Sequence, residues 1–215
     1  MKENRSIRIR ELIGQTAVIP VLVIDDLTHA VPLARALCAG GLKLLEITLR
    51  TPAALPSIAA IAEALPEVVV GAGTVRSASD AARAHEAGAR FAVGPGYTAA
   101  LGDACIELGL PYLPGVATAS EVMTALDDGY DVLKFFPAEA AGGLAMLNAL
   151  AGPFPDVAFC PTGGIDAKNA QAYLAQANVL CVGGSWIALR AEVADGNWAK
   201  VTALAASAAR LKRAG

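Results

Sequence analysis

The chain has 215 residues, 55% of them hydrophobic and 17% charged, with a formal net charge of -3 and a mean hydropathy of +0.49. That length suits one large core, and a weak negative charge without a basic block argues against a nucleic-acid partner. The longest uncharged stretch, Asn169 to Leu189, contains Asn169, Gln171, Gln176, Asn178 and the pair Gly183-Gly184, which argues against a membrane span.

In chain order, Met1 to Gln15 reads as a helical N-terminal extension. It mixes Lys2, Arg5, Arg8 and Arg10 with Glu3 and Glu11, and the apolar run that follows ends in Asp25-Asp26, so it does not have the form of a secretory signal. Strands are then expected at Val18 to Ile24, Leu44 to Thr48, Val68 to Gly71, Phe91 to Val93, Tyr112 to Leu113, Val132 to Phe135, Ala158 to Cys160 and Val179 to Val182. Ala/Leu-rich segments of helical period separate them. Helix starts are expected at Thr51 followed by Pro52, at Ser77, and at Thr118 with Glu121 three residues on. Gly40, Gly88, Gly109, Gly129 and Gly152 are expected as left-handed helix stops.

Eight such strand and helix units, with continuously apolar strands, predict an α/β fold: one (β/α)8 TIM barrel spanning residues 1–215. The alternative, an open doubly wound sheet, lacks support because "IPVLVIDD" stands where G-x-G-x-x-G would follow the first strand. The four cysteines, Cys38, Cys105, Cys160 and Cys181, form no CxxC and sit among apolar residues, so they read as reduced core thiols of a cytoplasmic protein. His29 and His85 read as surface residues. Without histidines or clustered acids on strand ends, no metal site is expected.

In a barrel the chemistry belongs at the C-terminal ends of the strands. Polar residues fall there: Glu46, Thr48 and Arg50 in "LEITLRTP", Thr74 after "GAG", Lys134 in "DVLKFFP", Thr162 in "CPTGGI" and Ser185 in "VGGSW". Lys134 is flanked by Leu133, Phe135 and Phe136, which are expected to hold it in an apolar wall. Its bland reading is a stem packed on apolar neighbours with the amine paired or in water. Desolvation, however, favours the neutral form of a buried amine, and a neutral amine attacks ketones to give an imine that stores electrons when a carbon-carbon bond breaks. Glu46 could pair with Lys134 or Arg50, or move the protons that imine chemistry requires. Arg50 offers a planar fork for a carboxylate, or is a surface residue opening a loop. The pairs Gly163-Gly164 and Gly183-Gly184 fall in the loops after the seventh and eighth strands, where barrels of this kind commonly bind phosphate, although either pair alone could be a tight turn. Trp186 could wall the same pocket or be core.

Together, "LLEITLRTP", "VGAGTV", "GPGYT", "LPGVAT", "LKFFPAEAAGG", "FCPTGGI" and "VGGSW" resemble the 2-keto-3-deoxy-6-phosphogluconate (KDPG) and 4-hydroxy-2-oxoglutarate (KHG) aldolases over nearly the full chain. The resemblance implies a homotrimeric (β/α)8 barrel and a class I aldolase that needs no metal or other cofactor. Its small-molecule substrate would be a phosphorylated keto acid, cleaved to pyruvate and glyceraldehyde 3-phosphate. It makes Lys134 the imine-forming residue and Glu46 the acid/base. Arg50 and Thr74 would hold the pyruvyl end, with Pro95 and Phe136 also contacting substrate, and Thr162, Gly163, Gly164, Gly184 and Ser185 would line the distal and phosphate end. Two residues depart from the pattern. Gly94 stands where many relatives have Ser, which is expected to loosen a loop near the pyruvyl end, and Ala141 stands where Asn is frequent. The alternatives are the 6-phosphogalactonate-specific relative, a phosphate-binding barrel isomerase that would not need Lys134, and a catalytically silent binding protein.

Overall fold

The computed structural model describes residues 4–213. Its strands are β1 (Val18–Leu22), β2 (Leu44–Thr48), β3 (Val69–Gly73), β4 (Ala92–Val93), β5 (Tyr112–Leu113), β6 (Gly115–Val116), β7 (Val132–Phe135), β8 (Ala158–Pro161) and β9 (Val182–Gly184). They pair in the order β5-β4-β3-β2-β1-β9 and β6-β7-β8, every ladder parallel. β5 and β6 are halves of one strand parted at Pro114, whose ring leaves no N–H for a ladder while its carbonyl still accepts from Lys134 N at 2.8 Å. The parallel bridges Phe159 to Val179 and Thr162 to Gly183 join β8 to the β9 edge, which closes the (β/α)8 barrel.

The strand periodicity divides the core into two layers. Leu22, Leu45, Ile47, Val70, Ala72, Leu133, Phe135, Phe159 and Val182 face the surrounding helices. Ile19, Leu44, Phe91, Val93, Leu113, Val132, Ala158, Cys160 and Cys181 fill the barrel. Helix α1 (Ile7–Ile13) sends Ile9 and Ile13, four residues apart on one face and fully buried, into that inner layer. The segment expected as an N-terminal extension therefore packs against its own barrel over the described residues; positions 1–3 lie outside them. The cysteines are free thiols, three of them buried. Cys160 Sγ and Cys181 Sγ lie 3.2 Å apart, and burial followed by this neighbour pushes the Cys181 thiol well above its ordinary range.

Ser77 and Thr118 cap their helices as expected, accepting from Asp80 N and Glu121 N, and Glu121 completes a capping box at α6 (Ala119–Asp127). Other local expectations are corrected. Thr51 caps nothing: its hydroxyl donates to Ile24 O, and α3 starts later, at Ala54–Ala64. Gly88, Gly109 and Gly129 are left-handed, but Gly40 and Gly152 are not. Gly40 instead admits the last helix, α10 (Trp198–Ala209), since a Cβ there would lie 2.4 Å from Ala205 Cβ. The final strand is Val182–Gly184 rather than Val179 to Val182, because pairing with Val18, Ile19 and Pro20 sets its register.

Candidate active site

Strand alternation decides where Lys134 points. Val132 belongs to the inner layer while Leu133 and Phe135 belong to the outer one, so Lys134 projects into the barrel two residues beyond Val132. Its apolar sequence neighbours Leu133 and Phe135 thus face away from the amine, contrary to the expectation that they wall it. The contacts come from elsewhere. Lys134 Nζ lies 3.3 Å from Glu46 Oε1 and 5.2 Å from the centre of the Phe136 ring, an ion pair and a cation–π contact. Glu46 likewise stands two residues past inner-facing Leu44, and both charged residues are under 5% exposed. A buried amine and a buried carboxylate at this separation satisfy one another, and neither survives comfortably alone.

The surrounding glycines make room for this pair. A Cβ on Gly73, on the neighbouring strand, would lie 2.1 Å from Glu46 Oε1, and one on Gly71 would lie 2.3 Å from the Phe91 ring that packs the inner layer. Gly115, in register with Lys134, has no side chain because the Pro95 backbone passes 2.4 Å from where its Cβ would be. Directly after β3, Thr74 is the one non-glycine residue with positive φ among the described residues, at 58°. That conformation brings Thr74 Oγ1 within 3.1 Å of Arg50 Nε, which donates to it.

On the other side of Phe136, whose ring meets Lys134, opens a cavity of about 590 Å³, lined by Arg50 and Phe136 and by Thr162, Gly163, Gly164, Gly184 and Ser185 from the loops after β8 and at β9. The expected residues thus divide into seven that line this cavity, Glu46 and Lys134 buried in the barrel, and Thr74 and Pro95 on the loops after β3 and β4. Gly163 and Gly164 both have positive φ, 98° and 78°, so their turn is one that side chains rarely adopt. The β7 loop is stitched to this turn: Ala138 N donates to Thr162 O at 2.8 Å and Glu139 N to Gly163 O at 3.1 Å. The Glu139 carboxylate in turn accepts from the Tyr173 hydroxyl, and burial, with that carboxylate second, raises the tyrosine's pKa above its ordinary range. Gly184 lies against the Trp186 indole, which packs on the core behind the cavity rather than lining it.

One expectation changes here and one residue is added. Gly94 does not loosen its loop, because the buried Tyr112 ring fills the place: a Cβ on Gly94 would lie 2.3 Å from Tyr112 Oη, which itself donates to Gly96 O at 3.0 Å. Arg190 also lines the cavity and was missed from the sequence. The available signal was its position as the first charge after the uncharged stretch Asn169 to Leu189. Among the described residues, no group of three or more His, Cys, Asp or Glu side chains could hold a metal ion.

The family model for KDPG and KHG aldolase matches residues 9–204. The chain belongs to this aldolase family. KDPG and KHG aldolases are carbon-carbon lyases, and relatives with solved structures share both the sequence and the barrel. The chain is 50% identical over 208 residues to the 2-dehydro-3-deoxy-phosphogluconate aldolase of Pseudoalteromonas atlantica, covering 97% of each chain. It superposes with a TM-score of 0.91 on the 2-keto-3-deoxy-6-phosphogluconate aldolase of Zymomonas mobilis solved with 3-phosphoglycerate, at 49% identity over 97% of this chain and 98% of that one. The KDPG aldolase of Legionella pneumophila, with pyruvate captured as a covalent carbinolamine, superposes with a TM-score of 0.90 at 46% identity over 92% of this chain and 96% of that one.

Proposed function

We propose that this protein is a class I aldolase that cleaves 2-keto-3-deoxy-6-phosphogluconate to pyruvate and glyceraldehyde 3-phosphate, and that it also acts on 4-hydroxy-2-oxoglutarate. The observation that carries the reading is the buried contact of 3.3 Å between Lys134 Nζ and Glu46 Oε1. Lys134 passes its proton to Glu46, and the amine so freed attacks the ketone carbon of the substrate, giving a carbinolamine whose hydroxyl takes the proton back from Glu46 and leaves as water to form the imine. Glu46 takes the proton of the C4 hydroxyl as the C3–C4 bond breaks. The bonding pair passes into the enamine while the aldehyde departs. Protonation of the enamine carbon and addition of water release pyruvate and return the amine. The imine supplies the electron sink, so the reaction needs no metal ion.

Arg50 holds the substrate carboxylate, steadied by Thr74, and Pro95 and Phe136 flank the reacting end. Thr162, Gly163, Gly164, Gly184 and Ser185 take the distal hydroxyls and the phosphate; their place along one wall of the cavity supports this assignment. The gluconate epimer is preferred to the galactonate one because relatives matching about half of the residues bear the gluconate name. We also propose a cytoplasmic homotrimer. Exposed Ile106 of α5 (Ala99–Glu107) and Met123 of α6 give apolar surface that association can bury.

The decisive experiment is intact-mass analysis and peptide mapping after incubation with pyruvate and borohydride in the presence of EDTA. A reduced pyruvyl adduct on Lys134 supports the mechanism. No adduct, or one on another lysine, overturns it. Ser185→Ala tests the phosphate end: weaker binding of phosphorylated substrate alone is expected, and equal loss with 4-hydroxy-2-oxoglutarate would remove Ser185 from that role. Light scattering of the purified protein tests the trimer.

A further inference from the structure

Arg190 opens the short helix α9 (Arg190–Ala194) and lines the cavity beside Gly163, Gly164, Gly184 and Ser185. It is the second guanidinium of that cavity, Arg50 being the other. Arg190 Nη2 lies 3.3 Å from Oδ1 of Asp25, which stands in the loop after β1, and β1 is the strand paired with β9. The side chains of this ion pair are 67% and 62% exposed. An ion pair so open to water is weak and readily exchanged. A dianionic phosphoryl group offers a planar guanidinium more charge and a two-pronged acceptor, so it outcompetes a solvated carboxylate.

The geometry points to Arg190 as a specificity-determining residue for the phosphoryl end of the substrate, with Asp25 as the internal anion that holds the guanidinium until phosphate displaces it. This rests on the reading of the cavity's glycine wall as the phosphate end. It adds a cation to a wall otherwise made of backbone and hydroxyl donors, and it explains why a carboxylate stands beside a pocket meant for an anion. Asp25 keeps the arginine oriented at the rim while offering only a weak competitor.

The test compares kcat/KM for the phosphorylated sugar acid with that for the same sugar acid lacking phosphate, in wild type, Arg190→Gln, Arg190→Lys and Asp25→Asn, each checked for folding by circular dichroism. The ratio is expected to fall about tenfold in Arg190→Gln, carried by KM rather than kcat, with Arg190→Lys between the two. Asp25→Asn should move the ratio the other way, by about twofold. A ratio unchanged in Arg190→Gln, or both substrates reduced in step, overturns this role while leaving the aldolase reading intact. If wild type itself does not favour the phosphorylated compound, both the phosphate wall and the role of Arg190 fall.

Discussion

The Glu46 carboxylate occupies the volume that any side chain on Gly73 would need: a Cβ built on Gly73 would lie 2.1 Å from Glu46 Oε1 and 2.7 Å from its Cγ. The two residues sit on paired strands, with Thr48 opposite Gly73 in the ladder, so neither backbone can move aside without disturbing the barrel. Gly73→Ala should therefore displace the carboxylate from Lys134 and lower kcat by about a hundredfold, within the range for a lost general acid or base. Steady-state turnover on protein with a native circular dichroism spectrum measures this. Near-normal turnover would mean that Glu46 finds another productive rotamer.

The Lys134 and Glu46 pair should weaken the fold that it serves. Replacing Lys134 alone by Met leaves a buried carboxylate without its cation, which should destabilise by about 3–5 kcal/mol. Replacing both, Lys134→Met with Glu46→Gln, removes the buried charges, and that double variant should unfold at a temperature equal to or above wild type while being inactive. Thermal melts of the two variants decide it; a double variant as unstable as the single one would show that the pair contributes net stability.

Thr74 at φ 58° holds a β-branched side chain where its class is rarely found. Thr74→Gly relieves that strain but gives the unfolded chain more freedom, terms of about 1 kcal/mol that nearly cancel. Stability should hardly change. The hydroxyl that accepts from Arg50 Nε is lost, so KM for substrate should rise several-fold. A large fall in melting temperature would show that the threonine is held there for packing instead.

Asp80 carries the pH dependence of the helix α4 (Ala78–Glu86) N-terminus. Burial by itself would raise its pKa, but hydrogen bonds from Arg76 N, the Arg83 guanidinium and the Ser77 side chain outweigh it and bring the value below the ordinary 3.8. A carboxyl whose pKa is depressed by folding adds stability that is fully present above its unfolded pKa and lost as pH falls through the folded value. Asp80→Asn should thus cost about 1 kcal/mol at pH ~7, and the difference from wild type should vanish well below pH ~4. Urea titrations at neutral and acidic pH read this directly. A difference independent of pH would assign the effect to packing.

Much of the fold was written in local pattern. β2 and β7 fall on the expected residues, Ser77 and Thr118 cap their helices, and Glu46 and Lys134 each point inward on their own strands. These features depend on a residue's own backbone preferences or on strand alternation, which a sequence displays within a few positions. Thr51 misled because its hydroxyl found a carbonyl on a neighbouring strand's loop, Ile24 O, rather than its own helix. Leu133 and Phe135 misled because adjacency in a strand means opposite faces.

By itself, then, the sequence determined the alternation of strands and helices, the ends at which chemistry collects, and the lysine, carboxylate and glycine pairs that mark the family. Only the tertiary structure decided that Gly73 seats Glu46, that Tyr112 fills the space at Gly94, and that Arg190 meets Asp25 across 165 positions of chain. Those relationships are set by barrel closure and strand stagger, which bring atoms together through space, and no short window of sequence carries that information.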